Sequence, residues 1–211
     1  MKRIEAVRTF RLKSKSAPTR KLAATPTRFH VENIPTSPYL LIPRHSSERR
    51  KYIPIGYVSP EILAGDSCLI ISGTTLYHFG VLTSEMHMAW VRQVCGRLKS
   101  DFRYSASLVY NNYPWPEGPT VKQRAAVTVS AQAVLDARKE FPEATLADLY
   151  DPLAMPKDLV NAHQDLDRAV DLCYRPQPFD TDRQRVEYLF ALYQKLTAPL
   201  IATTKKARQK T

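Results

Sequence analysis

The densest group of cations in this sequence lies in residues 44–52, which read Arg-His-Ser-Ser-Glu-Arg-Arg-Lys-Tyr. Guanidinium and ammonium groups bind phosphate oxygens by charge and hydrogen bonding, and hydroxyl groups add further hydrogen bonds. Few carboxylates in this part of the chain are available to neutralise the cations. The composition therefore predicts contacts with a nucleic-acid backbone from Arg44, Ser46, Ser47, Arg49, Arg50 and Lys51. The alternative is a solvated hairpin loop without a partner.

A second polar cluster occupies residues 97–104 and leads into a predicted strand. Lys99 and Asp101 are two residues apart, so in an extended segment they project from the same face. Such a donor and acceptor can read one G·C pair, with Lys99 toward guanine and Asp101 accepting from the cytosine amino group. Arg103 continues that face toward another base or a phosphate. The alternative is a helix-terminal cation with a local ion pair.

The charge of the chain is concentrated in its first third. The 211 residues include 31 Lys and Arg against 20 Asp and Glu, a formal charge of +11. Residues 1–60 hold 13 Lys and Arg but only 3 Asp and Glu. Such a surplus favours a polyanionic partner, and the predicted partner is double-stranded DNA. The 44% hydrophobic content excludes a chain that is disordered throughout, and 6 glycines exclude a collagen-like one.

The sequence lacks the common signatures of catalysis. It contains no Gly-rich phosphate loop, no His-Glu-x-x-His and no Gly-x-Ser-x-Gly, and its five histidines are scattered. We predict no catalytic residue, no metal site and no cofactor held by this chain. Three separated cysteines, Cys68, Cys95 and Cys173, predict reduced thiols and a cytoplasmic protein. No stretch approaches the ~18 apolar residues of a membrane span, so no membrane partner is predicted.

Residues 34–116 read as short strands punctuated by Pro and Gly. Aliphatic and aromatic runs predict strands at 39–42, 52–57, 67–72, 75–82 and 106–110. One helix interrupts them, because apolar residues recur every fourth position between 86 and 98, after an N-cap at Thr83 or Ser84. Its polar side carries two further predicted phosphate contacts, Arg92 and Arg97.

After a Pro-rich break at residues 113–119 the pattern changes to helices. Thr120 with Gln123, and Thr181 with Gln184, have the spacing of capping boxes, which predicts helices near 121–140 and 182–197. An apolar stripe predicts a third helix over residues 156–174.

The predicted fold class is α+β, with a small mixed or antiparallel sheet domain that contains one or more helices, followed by a small helical domain. The predicted boundaries are a basic N-terminal lead-in, the sheet domain, the helical domain and a basic flexible tail, at residues 1–29, 30–116, 120–197 and 198–211.

Four strings resemble the C-terminal part of the MmeI-like DNA methyltransferases and restriction-modification fusion enzymes. They are YLLIPRHSSERRKYIP at 39–54, LTSEMHMAWVRQVCGRL at 82–98, YNNYPWP at 110–116 and TLADLYDP at 145–152. The strings are long, unusual and in the family's order. The resemblance covers roughly residues 6–197.

The resemblance implies a specific role for each region. In such enzymes a methyltransferase core binds S-adenosylmethionine and modifies the N6 amine of adenine, while a downstream target recognition domain selects the DNA sequence. Residues 30–116 resemble that recognition domain, and residues 120–197 resemble the helical end of the polypeptide. The family's base choice lies at the passage carried here by Lys99, Asp101 and Arg103, assisted by the turn at Asp66 and Ser67.

The catalytic loops of the family have no counterpart in this sequence, so the resemblance implies a DNA recognition fragment that is not catalytic by itself. The fragment is either a natural piece of a split or truncated gene, which would act with a catalytic core supplied elsewhere, or a partial open reading frame. Two alternatives remain. One is a self-sufficient methyltransferase that grips the target base with Asn111 to Pro114, although this segment departs from the Asn-Pro-Pro-aromatic pattern and is assigned as a strand-ending turn. The other is a non-catalytic subunit that docks on a methyltransferase.

Overall fold

A computed structural model describes residues 1–29 and 32–208, with side chains through residue 198. The chain divides into two compact units, residues 1–36 and residues 37–211. The first unit contains helix α1 (Lys2–Leu12), helix α2 (Ala17–Lys21) and a 3-10 turn (Leu22–Ala24). The guanidinium of Arg11 closes this unit, because it donates to the carbonyls of Leu22, Thr25 and Arg28 at 2.9, 2.8 and 2.6 Å. The predicted lead-in is therefore helical.

The second unit begins with an antiparallel three-stranded sheet in the order β3-β1-β4. Its strands are β1 (Tyr39–Pro43), β3 (Gly56–Val58) and β4 (Cys68–Ile71). The strand predicted at 52–57 is shortened at its start, since Pro54 has no N–H to donate and Ile55 N bonds locally to Ile53 O at 2.8 Å.

A second antiparallel sheet has the order β2-β6-β5. Its strands are β2 (His45–Ser46), β5 (Gly96–Leu98) and β6 (Asp101–Arg103). Leu98 pairs with Asp101, so Lys99 and Ser100 form a two-residue turn between β5 and β6. Lys99 has a left-handed φ of 56° in this turn.

Two predicted strands are helical, and both expectations are corrected. Residues 75–82 form helix α3 (Leu76–Leu82), which starts where Thr75 N donates to His78 Nδ1 at 3.1 Å. The helix packs against a later helix at Gly80, where a Cβ atom would lie 2.7 Å from Val127 Cγ1. A continuous apolar run is compatible with a buried strand or with a buried helix, and the contact of Gly80 with Val127 stabilises the helix.

Residues 106–110, also predicted as a strand, form a π-helical turn (Ala106–Tyr110). Ser105 Oγ accepts from Leu108 N at 3.3 Å, and Asn112 Nδ2 donates to Ser107 O at 2.7 Å. Side chains on both sides of the turn thus satisfy backbone groups that a sheet ladder would otherwise have paired.

The remaining elements are the helices α4 (Glu85–Val94), α5 (Val121–Lys139), α6 (Leu146–Leu149), α7 (Lys157–Tyr174) and α8 (Asp182–Arg208). Helices α5, α7 and α8 were expected, whereas α6 was not predicted. Helix α4 ends before residue 98, where the apolar spacing had extended it, because Cys95 is extended and residues 96–98 pair as β5. The Thr120 capping box forms, with Thr120 N donating to Gln123 Oε1 at 2.8 Å. The Thr181 box is half formed, because Gln184 Oε1 accepts from Asp180 N instead. Helix α8 continues to Arg208, beyond the end expected near 197, and residues 209–211 of the predicted tail lie outside the described residues.

The fold class is α+β, and within the second unit residues 40–113 and residues 127–192 share one hydrophobic core. Trp90 of α4 lies 5.3 Å from Phe190 and 5.6 Å from Tyr193 of α8, measured between ring centroids. Buried residues of α3, α5 and α7 join the same cluster, among them Phe79 and Leu166. The helical region therefore supports the sheets directly.

Candidate nucleic-acid interface

Strands β2 and β6 bring the two basic clusters of the sequence together. His45 is the cross-strand partner of Arg103, and Ser46 is the partner of Phe102. His45 and Arg103 are both exposed, while Phe102 and Ser46 are buried. Side chains alternate across a strand, so Asp101 and Arg103 share the exposed face of the sheet.

Lys99 reaches this site by a different geometry from the one expected. The same-face interpretation of Lys99 and Asp101 required an extended segment, and it is corrected because Lys99 lies in the turn. Lys99 is nevertheless exposed beside the exposed Asp101. Asp101 Oδ1 accepts from Glu48 N at 3.2 Å, which ties the second cluster to the first.

The turn at Asp66 and Ser67 lies next to Arg44. Arg44 Nε donates to Asp66 O at 2.9 Å, and Arg44 N donates to Ser67 O at 2.9 Å. The Arg44 carbonyl accepts from Tyr104 N at 2.8 Å, so this residue joins the two sheets. The structure thus links six exposed residues, here named the reading strip: Arg44, Asp66, Ser67, Lys99, Asp101 and Arg103.

Residues 47–51, here named the basic turn, follow β2 directly. Arg50 N donates to Ser47 O at 3.2 Å and Arg49 N to Ser47 Oγ at 3.3 Å. Arg49 and Lys51 are exposed, and the Lys51 ammonium lies 5.1 Å from the centre of the Tyr52 ring. Arg50 is half-buried and donates from Nη2 to Ala147 O at 3.3 Å. Of the three cations in the basic turn, Arg49 and Lys51 are therefore exposed to solvent.

Three predicted phosphate contacts are placed differently. Ser46 is buried on the inner face of β2. Arg97 lies on the face opposite Arg103, where its guanidinium stacks 4.1 Å above the Phe102 ring and donates to Ser100 O at 2.9 Å. Arg92 is held by the carboxylates of Glu85 and Asp182. None of the three is carried into the proposed interface, because packing or internal pairing already engages them.

A buried acid lies beneath the basic turn. Asp167 of α7 accepts from the Tyr52 hydroxyl at 2.6 Å and from Glu85 N at 2.7 Å. Burial disfavours the charged carboxylate and raises the pKa of Asp167 to about 6, although both hydrogen bonds favour the ionised form. Nothing in the sequence distinguished this residue from the solvent-facing acids of α7.

Replacing Asp167 by Asn is expected to stabilise the protein at pH 8. A folded-state pKa near 6 exceeds the ordinary 3.8, so stability falls as the pH rises from about 4 to about 6 and stays lower above. The neutral amide removes this loss, about 3 kcal/mol for a shift of about two pKa units, while still accepting from Glu85 N. Urea unfolding at pH 4.5 and pH 8 measures the change in the free energy of unfolding. The control is Asp165→Asn, at an exposed position of the same helix. A lower stability of Asp167→Asn at pH 8 would show that the ionic hydrogen bonds outweigh desolvation.

A second buried network joins the helical region to residue 55. Arg138 donates from Nε and Nη2 to the Tyr150 oxygen at 3.0 and 2.5 Å, and from Nη1 to Ile55 O at 2.8 Å. Burial and the charge of Arg138 hold the pKa of His163 well below its usual range, so the neutral ring accepts from Tyr150 O–H at 2.6 Å. His163 was visible in the sequence only as a member of an apolar stripe.

The segment from Asn111 to Pro114 runs from an exposed residue into the packed interior, where Tyr113 and Pro114 are buried. Tyr113 is buried, and the Tyr174 hydroxyl lies 2.7 Å from Tyr113 Oη and is placed to donate to Pro114 O at 3.1 Å. The segment ends a helical turn rather than a strand. The carbonyl that a base-gripping loop would present therefore already faces a hydrogen-bond donor.

Within residues 1–29 and 32–198, no three His, Cys, Asp or Glu side chains come together as a metal site. Among the helices that the structure describes, none combines the length and the apolar character needed to cross a bilayer.

Comparison with known proteins gives consistent matches over both regions. The model of the MmeI target recognition domain matches residues 1–117, and that of the MmeI C-terminal domain matches residues 120–201. The chain is 40% identical over 195 residues to DNA methyltransferase A of Bacillus subtilis (strain 168), covering 92% of this chain and 22% of that protein. The type IIL restriction-modification enzyme MmeI, solved in complex with DNA, matches with a TM-score of 0.84 and 46% identity, over 93% of this chain and 26% of MmeI.

The chain thus spans about a quarter of the length of these relatives. The two domain models together cover nearly all of its residues, in the order in which the sheets and the helices occur. The chain therefore belongs to the MmeI family, of which it forms the target recognition and C-terminal domains.

Proposed function

We propose that this chain is the sequence-specific DNA recognition module of a site-specific adenine-N6 methyltransferase of a restriction-modification system. The observation that carries the proposal is the pairing of β2 with β6, which places the basic turn beside the reading strip. Phosphate-binding cations and base-reading groups must lie together if one surface is to grip a duplex and inspect its base edges. The DNA complex of the related MmeI supports double-stranded DNA as the partner.

Each part of the surface has a distinct role in this proposal. Arg49, Lys51 and the outer part of Arg50 bind phosphates and supply affinity for any sequence. In the reading strip, Lys99 and Asp101 contact one base pair and Arg103 contacts a neighbouring base or phosphate. Arg44, Asp66 and Ser67 complete the strip from the adjoining sheet edge.

Methyl transfer is assigned to a catalytic core that binds S-adenosylmethionine and to which this chain supplies the target sequence. The burial of Tyr113 and Pro114, with the Pro114 carbonyl near the Tyr174 hydroxyl, supports this division over a self-sufficient methyltransferase. Calorimetric titration of the 211-residue chain with S-adenosylmethionine separates the two, because only the self-sufficient enzyme requires binding. A docking subunit without a DNA role would instead show no salt-sensitive affinity for oligonucleotides.

Replacing Arg49 by Ala is expected to weaken binding to all duplexes about equally. Each phosphate contact releases condensed counterions, so losing one reduces the slope of log affinity against log salt by about 0.9. Arg49 suits this test better than Arg50, because Arg50 also contacts Ala147. Fluorescence anisotropy with duplexes of unrelated sequence, at roughly 50 to 200 mM salt, gives the slope.

The matched control is Lys139→Ala, which removes an exposed cation at the end of α5, beside Asp136. It should leave the slope unchanged. Absence of binding by the unaltered protein at the lowest salt, or equal slopes for Arg49→Ala and the unaltered protein, would contradict the proposed interface.

A further inference from the structure

Arg92 joins both basic clusters to the helical region. Its Nη1 lies 2.6 Å from Glu85 Oε1 and 2.6 Å from Asp182 Oδ2, and its Nη2 donates to Lys51 O at 3.3 Å. Its own carbonyl accepts from Arg97 Nη2 at 3.4 Å. One guanidinium therefore connects the start of α4, the start of α8 and the last residue of the basic turn.

Three further contacts, made by Arg50 and Tyr52, tie the same stretch of chain to the helices. Arg50 Nη2 reaches the Ala147 carbonyl of α6. Tyr52 stacks on His163 of α7 with ring centroids 4.0 Å apart, and its hydroxyl donates to Asp167. The basic turn thus lies between anchors on α6, α7 and α8, while Arg49 and Lys51 remain exposed.

We propose that Arg92 and Asp182 are positioning residues for DNA binding, which hold the basic turn in its phosphate-binding conformation. This inference rests on the proposed function and gives the C-terminal helices a part in recognition. Two carboxylates neutralise Arg92, so its contribution to DNA binding is indirect. Fixing the Lys51 carbonyl lowers the conformational entropy that the turn loses when it binds, which is the physical basis of preorganisation.

The direction in which Asp182→Asn changes the affinity for DNA distinguishes positioning from a direct charge effect. Asp182→Asn removes a negative charge from a protein that binds a polyanion, so electrostatics alone predicts tighter binding. If Arg92 were itself a phosphate ligand, releasing it from Asp182 would also tighten binding. Positioning predicts the opposite, a loss of affinity of about two- to fivefold, because a partly exposed ion pair that holds the turn is lost.

The matched control is Glu187→Gln, which makes the same charge change farther along α8, at a residue that pairs with the exposed Arg183. Both variants and the unaltered 211-residue chain are titrated with one duplex by anisotropy, at a temperature where circular dichroism shows each to be folded. Arg92→Lys is the second variant, since it keeps the charge but loses the multiple contacts. It should bind more weakly with an unchanged salt slope.

Hydrogen exchange of the DNA-free proteins tests the mechanism separately. Asp182→Asn should accelerate exchange in the peptide spanning residues 47–52, where Arg50 N donates to Ser47 O, and Glu187→Gln should not. Weaker binding by Asp182→Asn with faster exchange supports the inference. Equal or tighter binding, equal loss in Glu187→Gln, or unchanged exchange overturns it while the proposed function stands. Absence of DNA binding by the unaltered chain overturns both.

Discussion

Exchanging Lys99 for Glu and Asp101 for Arg together is expected to change the preferred base pair at one position of the DNA site by about 10- to 100-fold. The exchange reverses donor and acceptor on the reading strip, and a well-placed base contact discriminates by about 1–3 kcal/mol. Both positions are exposed, so the substitutions do not disturb the core. Asp101→Arg also removes the acceptor of Glu48 N, so the sequence preference, and not the overall affinity, is the informative readout.

Selection from a randomised duplex pool, followed by sequencing, measures the preference of the double variant and of the unaltered protein. Arg49→Ala serves as the control, because a lost phosphate contact weakens binding without changing the selected sequence. An unchanged preference in the double variant would remove Lys99 and Asp101 from base reading, while leaving the phosphate-binding role of the basic turn intact.

Replacing Arg138 by Ala is expected to lower the free energy of unfolding by about 4 kcal/mol. The substitution leaves a cavity beside Phe79 and removes three hydrogen bonds to the Tyr150 oxygen and the Ile55 carbonyl. Buried acceptors left without a donor cost about 1–3 kcal/mol each, and loss of side-chain volume adds to this. The network links α5 to the carbonyl of Ile55, just before β3, so its loss weakens the attachment of the sheet to the helices.

Urea unfolding at pH 7 gives the measurement, with Lys139→Ala, an exposed cation on the same helix, as the control. Arg138→Met separates the two contributions, because it restores most of the volume but none of the hydrogen bonds. A loss below about 1 kcal/mol for Arg138→Ala would mean that desolvation of the buried guanidinium cancels the interactions described here.

Local signals in the sequence predicted the long helices well. The Thr120 capping box and the apolar stripe of α7 are short-range patterns, and both helices form as expected. The strand predictions for residues 75–82 and 106–110 were wrong, because continuous apolar runs do not distinguish a buried strand from a buried helical turn. The contact of Gly80 with α5 and the contacts of Asn112 with the π-helical turn decided those segments.

The chain's own residues located its two basic clusters, indicated its family and predicted a polyanionic partner, because charge, composition and unusual strings are properties of the linear sequence. Tertiary structure alone decided which cations face solvent. Pairing of β2 with β6 assembled the reading strip, whereas Arg92 and Arg97 were drawn into ion pairs and stacking. The β2–β6 pairing and the Arg92–Asp182 ion pair join residues far apart in sequence, so the folded backbone has to be known before the partner of each cation can be named.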